Sequence, residues 1–157
     1  MRGRWKVALE KLLPEYERLS SGAPFSALVR LGEVLAVADE ELPGATAAVR
    51  DHATPAVVEA AAIEAVGIRR RALRVLSIGT KFTWEELVLL LTMRIELELA
   101  SSVMALFGID TSAFDLGTLD AELRVVALSN ENRARFASAL ATIRRNWAVP
   151  IVDRWST

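Results

Sequence analysis

The chain of 157 residues has no cysteine and only one histidine, His52. The absence of cysteine excludes a disulfide framework, a cysteine-ligated zinc site and a thiol nucleophile. A ferritin-like di-iron site needs a Glu-x-x-His pair on each of two helices, and no glutamate lies three residues before His52. Gly-rich phosphate loops and nucleophile elbows are also missing from the sequence. We therefore expect no catalytic site, metal or cofactor.

Long apolar runs are absent as well, although 52% of the residues are hydrophobic and the mean hydropathy is +0.29. The longest central window without a charge, 99–109, has 11 residues, two of them serine. A membrane-spanning helix needs about 20 apolar residues, so we expect no membrane span. A domain of this size has too much surface to hide so much apolar material, which predicts that part of it is buried between subunits.

The net charge is only −1, from 19 basic and 20 acidic residues, so the chain is not a general polycation. Any basic surface must be local. Of the basic residues, 16 are arginine and 3 are lysine. Arginine is the residue suited to planar, multi-donor contacts with carboxylates or phosphates.

Apolar residues recur at helical spacing almost throughout, which predicts a single all-α domain over residues 1–157. We expect an N-terminal basic arm or helix (1–20), a bundle of five to six helices (24–149) and a C-terminal tail (150–157). Pro14 should kink or divide the first helix. The second helix should begin at Pro24 and stop at Pro43 and Gly44.

Capping signals divide the rest of the chain. Thr54 and Pro55 should open a helix that fades at Ile78. A capping box, Thr83 to Glu86, should start the longest helix, an apolar central element that stops at Gly108. Two further helices are expected, one over about 118–128 and one that is capped by Asn130 and ends at Pro150.

The segment "GIRRRALRVL", 67–76, puts four arginines into a helix with one apolar face. Arg70, Arg71 and Arg74 share a stripe, with Gly67 on the same face, and Lys81 lies two turns further if the helix continues. Such a face suits a phosphate backbone. The alternative is a surface ion-pair helix set against residues 33–64, which carry seven acids and one arginine.

Two further basic clusters favour phosphate binding. The first is an N-terminal arm with an aromatic anchor at Trp5, and its basic residues are Arg2, Arg4 and Lys6. The second is a polar face of the last helix, which carries Arg135, Ser138, Thr142 and Arg145. No helix presents residues arranged to read base edges, so nucleic-acid binding should be independent of sequence.

The segments "GRWKVAL" and "SSGAPFSALV", followed by apolar helices without catalytic motifs, resemble the major coat proteins of filamentous archaeal viruses that package double-stranded DNA. The resemblance implies a small all-helical subunit that pairs with itself or a paralogue and wraps A-form DNA in a filament. By position, Arg2, Arg4 and Lys6 would be arm contacts, and Arg70, Arg71 and Arg74 the wrapping surface. The implied location is the virion, assembled in the host cytoplasm; without the resemblance we expect a cytoplasmic protein.

Such coat proteins are often clearly basic, and this chain is not. Its acidic residues should then lie on the outer or inter-subunit surface, and a paralogous partner could supply more positive charge. Two other hypotheses stay open. One is a non-catalytic helical interaction subunit of a ribonucleoprotein or other multiprotein complex. The other is an enzyme or small-ligand carrier with Arg94, Glu96 or Glu98 around a cavity, although Glu98, four residues after Arg94, suits an intrahelical pair.

Overall fold

A computed structural model describes residues 3–147 of the chain. Within this range there is no β-strand, and the predicted all-α class is confirmed. Residues 3–147 form seven α-helices, rather than five to six: Arg4–Leu19 (α1), Pro24–Ala36 (α2), Leu42–His52 (α3), Pro55–Ile78 (α4), Trp84–Leu106 (α5), Leu116–Leu128 (α6) and Arg133–Asn146 (α7). Short 3₁₀ turns lie at Asp39–Glu41 and Ser112–Phe114.

The additional helix is α3, and it arises where the sequence predicted a stop. α2 ends at Ala36, and the chain turns at Asp39, whose φ of 48° is in the left-handed region. Pro43 then lies in the first turn of α3. Proline is tolerated there because the first N–H groups of a helix have no intrahelical acceptor. Pro43, which the sequence predicted as the end of a helix, thus lies at the start of one.

Pro14 does not divide the first helix, since α1 runs unbroken from Arg4 to Leu19. The proline lies on the exposed side, where water can compensate for the missing backbone hydrogen bond. Trp5 and Tyr16, on either side of it in the sequence, are both buried in the core. Their packing holds the two ends of α1 against the same bundle.

The core centres on the crossing of α2 and α5. α2 packs against α1, α3, α4 and α5. At the crossing, Gly32 of α2 is buried, and a Cβ added to it would overlap the backbone carbonyl of Leu99 on α5. Glycine is therefore required by the close approach of the two helices. Fully buried leucines on both helices fill the space around this contact.

The prediction that α5 is the longest helix and an apolar central element is wrong. α4, with 24 residues, is longer than α5, with 23. α5 also carries charges along its length, and Leu89 is exposed on it. Its charged residues are Glu85, Glu86, Arg94, Glu96 and Glu98. No helix among residues 3–147 is long and apolar enough to cross a membrane.

Several predicted helix ends are confirmed. Thr54 caps α4 through its side chain, the Thr83–Glu86 capping box is formed, and Gly108 adopts a φ of 70° just after α5. The last two helices begin elsewhere than predicted: Asp115 caps α6, and Asn132, not Asn130, stands at the start of α7. The predicted tail and the end at Pro150 lie outside the described residues.

Candidate nucleic-acid interface

The arginine helix α4 has the two faces that its sequence predicts. Ala65, Ala72 and Leu76 are buried against the bundle. On the other side Gly67 is exposed with open space around it, so that another molecule can come close to the backbone. Arg70, Arg71 and Arg74 are all exposed on this side. We call these three residues the α4 arginine surface.

No acid among residues 3–147 neutralises the α4 arginine surface. None of its three guanidinium groups forms an ion pair with any residue of 3–147. Two acids of the stretch 33–64 pair elsewhere: Glu33 with Arg30 at 2.8 Å, and Asp39 with Arg4 at 3.8 Å. The ion-pair alternative therefore has no counterpart in the described part of the chain.

Arg69, the remaining arginine of the quoted segment, has a structural role. Its side chain is half-buried, and its Nε donates a hydrogen bond of 2.7 Å to the backbone carbonyl of Asp115. This contact joins α4 to the start of α6. The 100° offset between successive helical residues separates Arg69 from the exposed stripe.

Lys81 does not extend the arginine stripe along a helix, because α4 ends at Ile78. It lies instead in the loop between α4 and α5. There it contributes to an open groove of about 420 Å³, which is lined by Lys81, Phe82, Thr83, Trp84 and Arg135. The structure thus brings together two predicted site residues, Lys81 and Arg135, that are far apart in the sequence.

Arg135 connects this loop to the start of α7. Its Nε donates 2.7 Å to the carbonyl of Phe82, and its Nη2 donates to the carbonyl of Glu131. Asn132 supports the same loop, since its side chain donates 2.7 Å to the carbonyl of Thr80. The sequence predicted a polar helix start near Asn132, but it did not indicate that this helix start holds the α4–α5 loop.

Two residues of the N-terminal basic cluster lie in a helix. Arg4 and Lys6 belong to the first turn of α1, which packs on the bundle. Arg4 pairs with Asp39, and the Lys6 ammonium lies 5.6 Å from the ring centre of the buried Trp5. Of the predicted arm or helix over residues 1–20, the structure shows the helix for these two residues. Arg2 lies outside the described residues.

The polar face of α7 is partly used by internal hydrogen bonds. Ser138 accepts a hydrogen bond of 3.1 Å from the indole N–H of Trp84. Arg145 donates 3.0 Å to the hydroxyl of Thr142, and its side chain is exposed. Of the two arginines predicted on this face, Arg145 is exposed and Arg135 is half-buried.

Arg94 of α5 is buried, with 4% of its surface exposed, and its partners satisfy it. Its Nη1 lies 2.8 Å from Glu98, as predicted, while its Nε and Nη2 donate to Asp120 of α6. Burial alone lowers the pKa of Arg94, but the hydrogen bonds and charges of Asp120 and Glu98 hold it above its usual range. This geometry fits a structural ion-pair network between α5 and α6.

Two half-buried carboxyl groups share one cation between α2 and α5. Burial raises the pKa of Glu33 and of Glu96, and the nearby Arg30 opposes the rise in each case. The Arg30 guanidinium also lies 5.9 Å from the ring centre of Trp147. Within residues 3–147, no three acidic or histidine side chains are grouped to hold a metal ion.

Comparisons of the chain with protein-family models, with curated proteins and with solved structures give no match. The likeness to coat proteins of filamentous viruses therefore stays a prediction. The candidate interface depends on the geometry of α4 and its neighbours.

Proposed function

We propose that the chain is a non-catalytic coat subunit that assembles around nucleic acid and binds the phosphate backbone without sequence specificity. The observation that carries the proposal is the α4 arginine surface, which is exposed and without an ion pair among residues 3–147. Residues 65–84 contain five basic and no acidic residues. A nucleic-acid backbone that lies along residues 65–84 is therefore not repelled by any acidic side chain of this segment.

The chemistry of this surface suits phosphates better than bases. Guanidinium groups donate several hydrogen bonds in one plane and keep their charge at any physiological pH. Arg70 and Arg74 are one helical turn apart, and Arg71 flanks them. Such contacts fix the position of a backbone but carry no information on base identity. Lys81 and Arg145 are the further exposed cations that we assign to the same role.

Double-stranded DNA is the favoured ligand, as in the coat proteins that the sequence resembles, and the subunit then belongs to a virion. The partners are further copies of the chain or a paralogous subunit. Val125 and Leu128 on α6 support such contacts because both apolar side chains are exposed. Side chains of this kind are commonly covered in an assembly.

The test replaces the α4 arginine surface with alanine in the triple variant Arg70→Ala, Arg71→Ala, Arg74→Ala. The dissociation constant for a DNA duplex is measured against salt concentration. The logarithm of the association constant falls as the logarithm of the salt concentration rises, and losing three phosphate contacts should make this slope less steep by about 2.7. The control removes the same charge from the exposed arginines Arg18, Arg50 and Arg124 and should bind like the wild type. Equal slopes for the wild type and the α4 triple variant would overturn the proposal.

A second function is favoured by a different observation on the same helix. Ile63 and Ile78 are each 77% exposed, and they lie on the side of α4 that carries the arginines. Exposed isoleucines next to arginines also suit a protein partner. The alternative is therefore a non-catalytic interaction subunit of a ribonucleoprotein or other multiprotein complex. It predicts that Ile63→Ser weakens association with a protein and leaves binding to naked DNA unchanged.

A further inference from the structure

The groove between the α4–α5 loop and α7 combines an aromatic ring with two cations. It has a volume of about 420 Å³, which is within the range of about 300–1,000 Å³ for small-ligand sites. Two of its lining residues come from helices: Trp84 lies at the start of α5, and Arg135 lies on α7. Lys81 comes from the loop that directly follows α4.

Two of these side chains are held in place before any ligand arrives. The indole N–H of Trp84 donates to Ser138, which fixes the ring on α7 while the side chain stays only half-buried. Arg135 is fixed by the carbonyl of Phe82 at 2.7 Å. Its Nη1 makes no hydrogen bond with any residue of 3–147. Groups that are already ordered lose little conformational entropy on binding.

The third side chain, Lys81, is the free cation of the groove. It is exposed and has no ion pair within the part of the chain that the structure describes. The neighbouring Glu86 forms no ion pair with it, and the Oε1 of Glu86 accepts the backbone N–H of Thr83 at 2.8 Å in the capping box. An anion that enters the groove therefore meets Lys81 with its charge available.

We propose that this groove binds an unpaired nucleotide, with the base stacked on Trp84 and the phosphate held by Lys81 and Arg135. The inference rests on the proposed function, in which the α4 arginine surface holds the backbone of the same strand. A base inside a duplex is stacked on both sides and paired at its edge, so it does not reach an aromatic ring in a groove. The groove therefore selects strand ends and single-stranded segments, and it does so with little sequence preference, since every base has a π-face.

The test compares two short single-stranded DNA oligonucleotides of equal length, one with all its bases and one made only of abasic sites. Fluorescence anisotropy gives the dissociation constants. The wild type should bind the base-containing strand about tenfold more tightly, within the range for one base stacked on an aromatic side chain. Trp84→Leu should abolish this preference, and Lys81→Ala should weaken binding of both strands. The matched control Trp147→Leu changes a tryptophan outside the groove and should keep the preference.

A loss of folding is separated from a loss of stacking by Trp84→Phe, which keeps an aromatic ring and should keep most of the preference. Thermal unfolding of each variant gives the same check. If the wild type binds both strands equally, the groove does not take a base, and the inference is overturned while the α4 proposal stands. If the α4 triple variant binds the abasic strand as tightly as the wild type does, the proposed function itself fails.

Discussion

The side-chain oxygen of Asn132 accepts a hydrogen bond of 2.9 Å from the backbone N–H of Phe82, fifty positions earlier in the chain. Asn132 is 1% exposed, and its amide nitrogen donates to the carbonyl of Thr80 at the same time. The Asn132 side chain thus supplies the α4–α5 loop with one acceptor and one donor, as a backbone peptide group would. The groove has its shape because this loop is held on α7.

Replacing Asn132 should therefore cost stability. Asn132→Ala leaves the buried N–H of Phe82 without an acceptor, and we expect a loss of about 1–3 kcal/mol in the free energy of unfolding. Asn132→Asp keeps the acceptor but loses the donor to Thr80. Its loss of stability should be smaller at low pH than at neutral pH, because the protonated carboxyl group can donate to Thr80. Denaturant unfolding measures both. The control is Asn130→Ala at an exposed position. An Asn132→Ala variant as stable as the wild type would contradict the role assigned to this residue.

The close approach of α2 and α5 makes a second prediction. Gly32→Ala should lower the free energy of unfolding by about 1–3 kcal/mol, because its methyl group overlaps the Leu99 carbonyl and the helices must move apart. The matched control is Gly67→Ala in α4, where nothing lies within 4 Å of the added carbon. That change should raise the free energy of unfolding by up to about 1 kcal/mol, since alanine favours the helix. Opposite signs for the two variants are the expected result, and equal signs would contradict the packing.

The network around Arg94 predicts an asymmetry between its two ends. Asp120→Ala leaves a buried guanidinium with Glu98 as its remaining carboxylate in the network and should cost about 1–3 kcal/mol. Arg94→Met fills the same space without a charge and leaves Asp120, whose side chain is 36% exposed, able to be hydrated. It should therefore cost less than Asp120→Ala. Chemical denaturation of both variants measures the difference, and the reverse order would show that Arg94 is not the buried charge that needs a partner.

The half-buried carboxyl group of Glu96 predicts a pH dependence. Because burial raises its pKa above the usual 4.5, the folded state binds a proton more readily than the unfolded state does. The penalty for its charge is present at neutral pH and is relieved as the pH falls toward 4.5. Glu96→Gln should thus raise the melting temperature at pH 7, and the gain should shrink on acidification. Glu122→Gln, at an exposed position, is the control. A gain that stays constant with pH would rule out this cause.

The sequence predicted those features that depend on neighbours along the chain. The helical class, the Thr54 cap, the capping box and the two faces of α4 all follow from spacing and local hydrogen bonding. Features that depend on tertiary contacts were missed. Pro43 opens a helix because the chain has already turned at Asp39, and Lys81 faces a groove because Asn132 holds its loop from another helix.

The candidate site follows the same division. The exposure of Arg70, Arg71 and Arg74 was predictable because each residue lies opposite an apolar stripe on one helix. The contacts of Arg4, Lys6 and Arg135 could not be predicted from the sequence. Arg4 pairs with Asp39 and Arg135 bonds the carbonyl of Phe82, both far away in the sequence, while Lys6 lies over the ring of its neighbour Trp5, which the tertiary packing buries. No pattern in the sequence specifies which arginine will be used to hold a loop.

Whether the chain is a coat subunit is decided by purifying it with whatever nucleic acid accompanies it, followed by sizing and negative-stain imaging with and without nuclease. We expect regular filaments or shells that protect nucleic acid, and their loss in the Arg70→Ala, Arg71→Ala, Arg74→Ala variant. A monomer or dimer free of nucleic acid, the same for the wild type and the variant, would contradict this expectation.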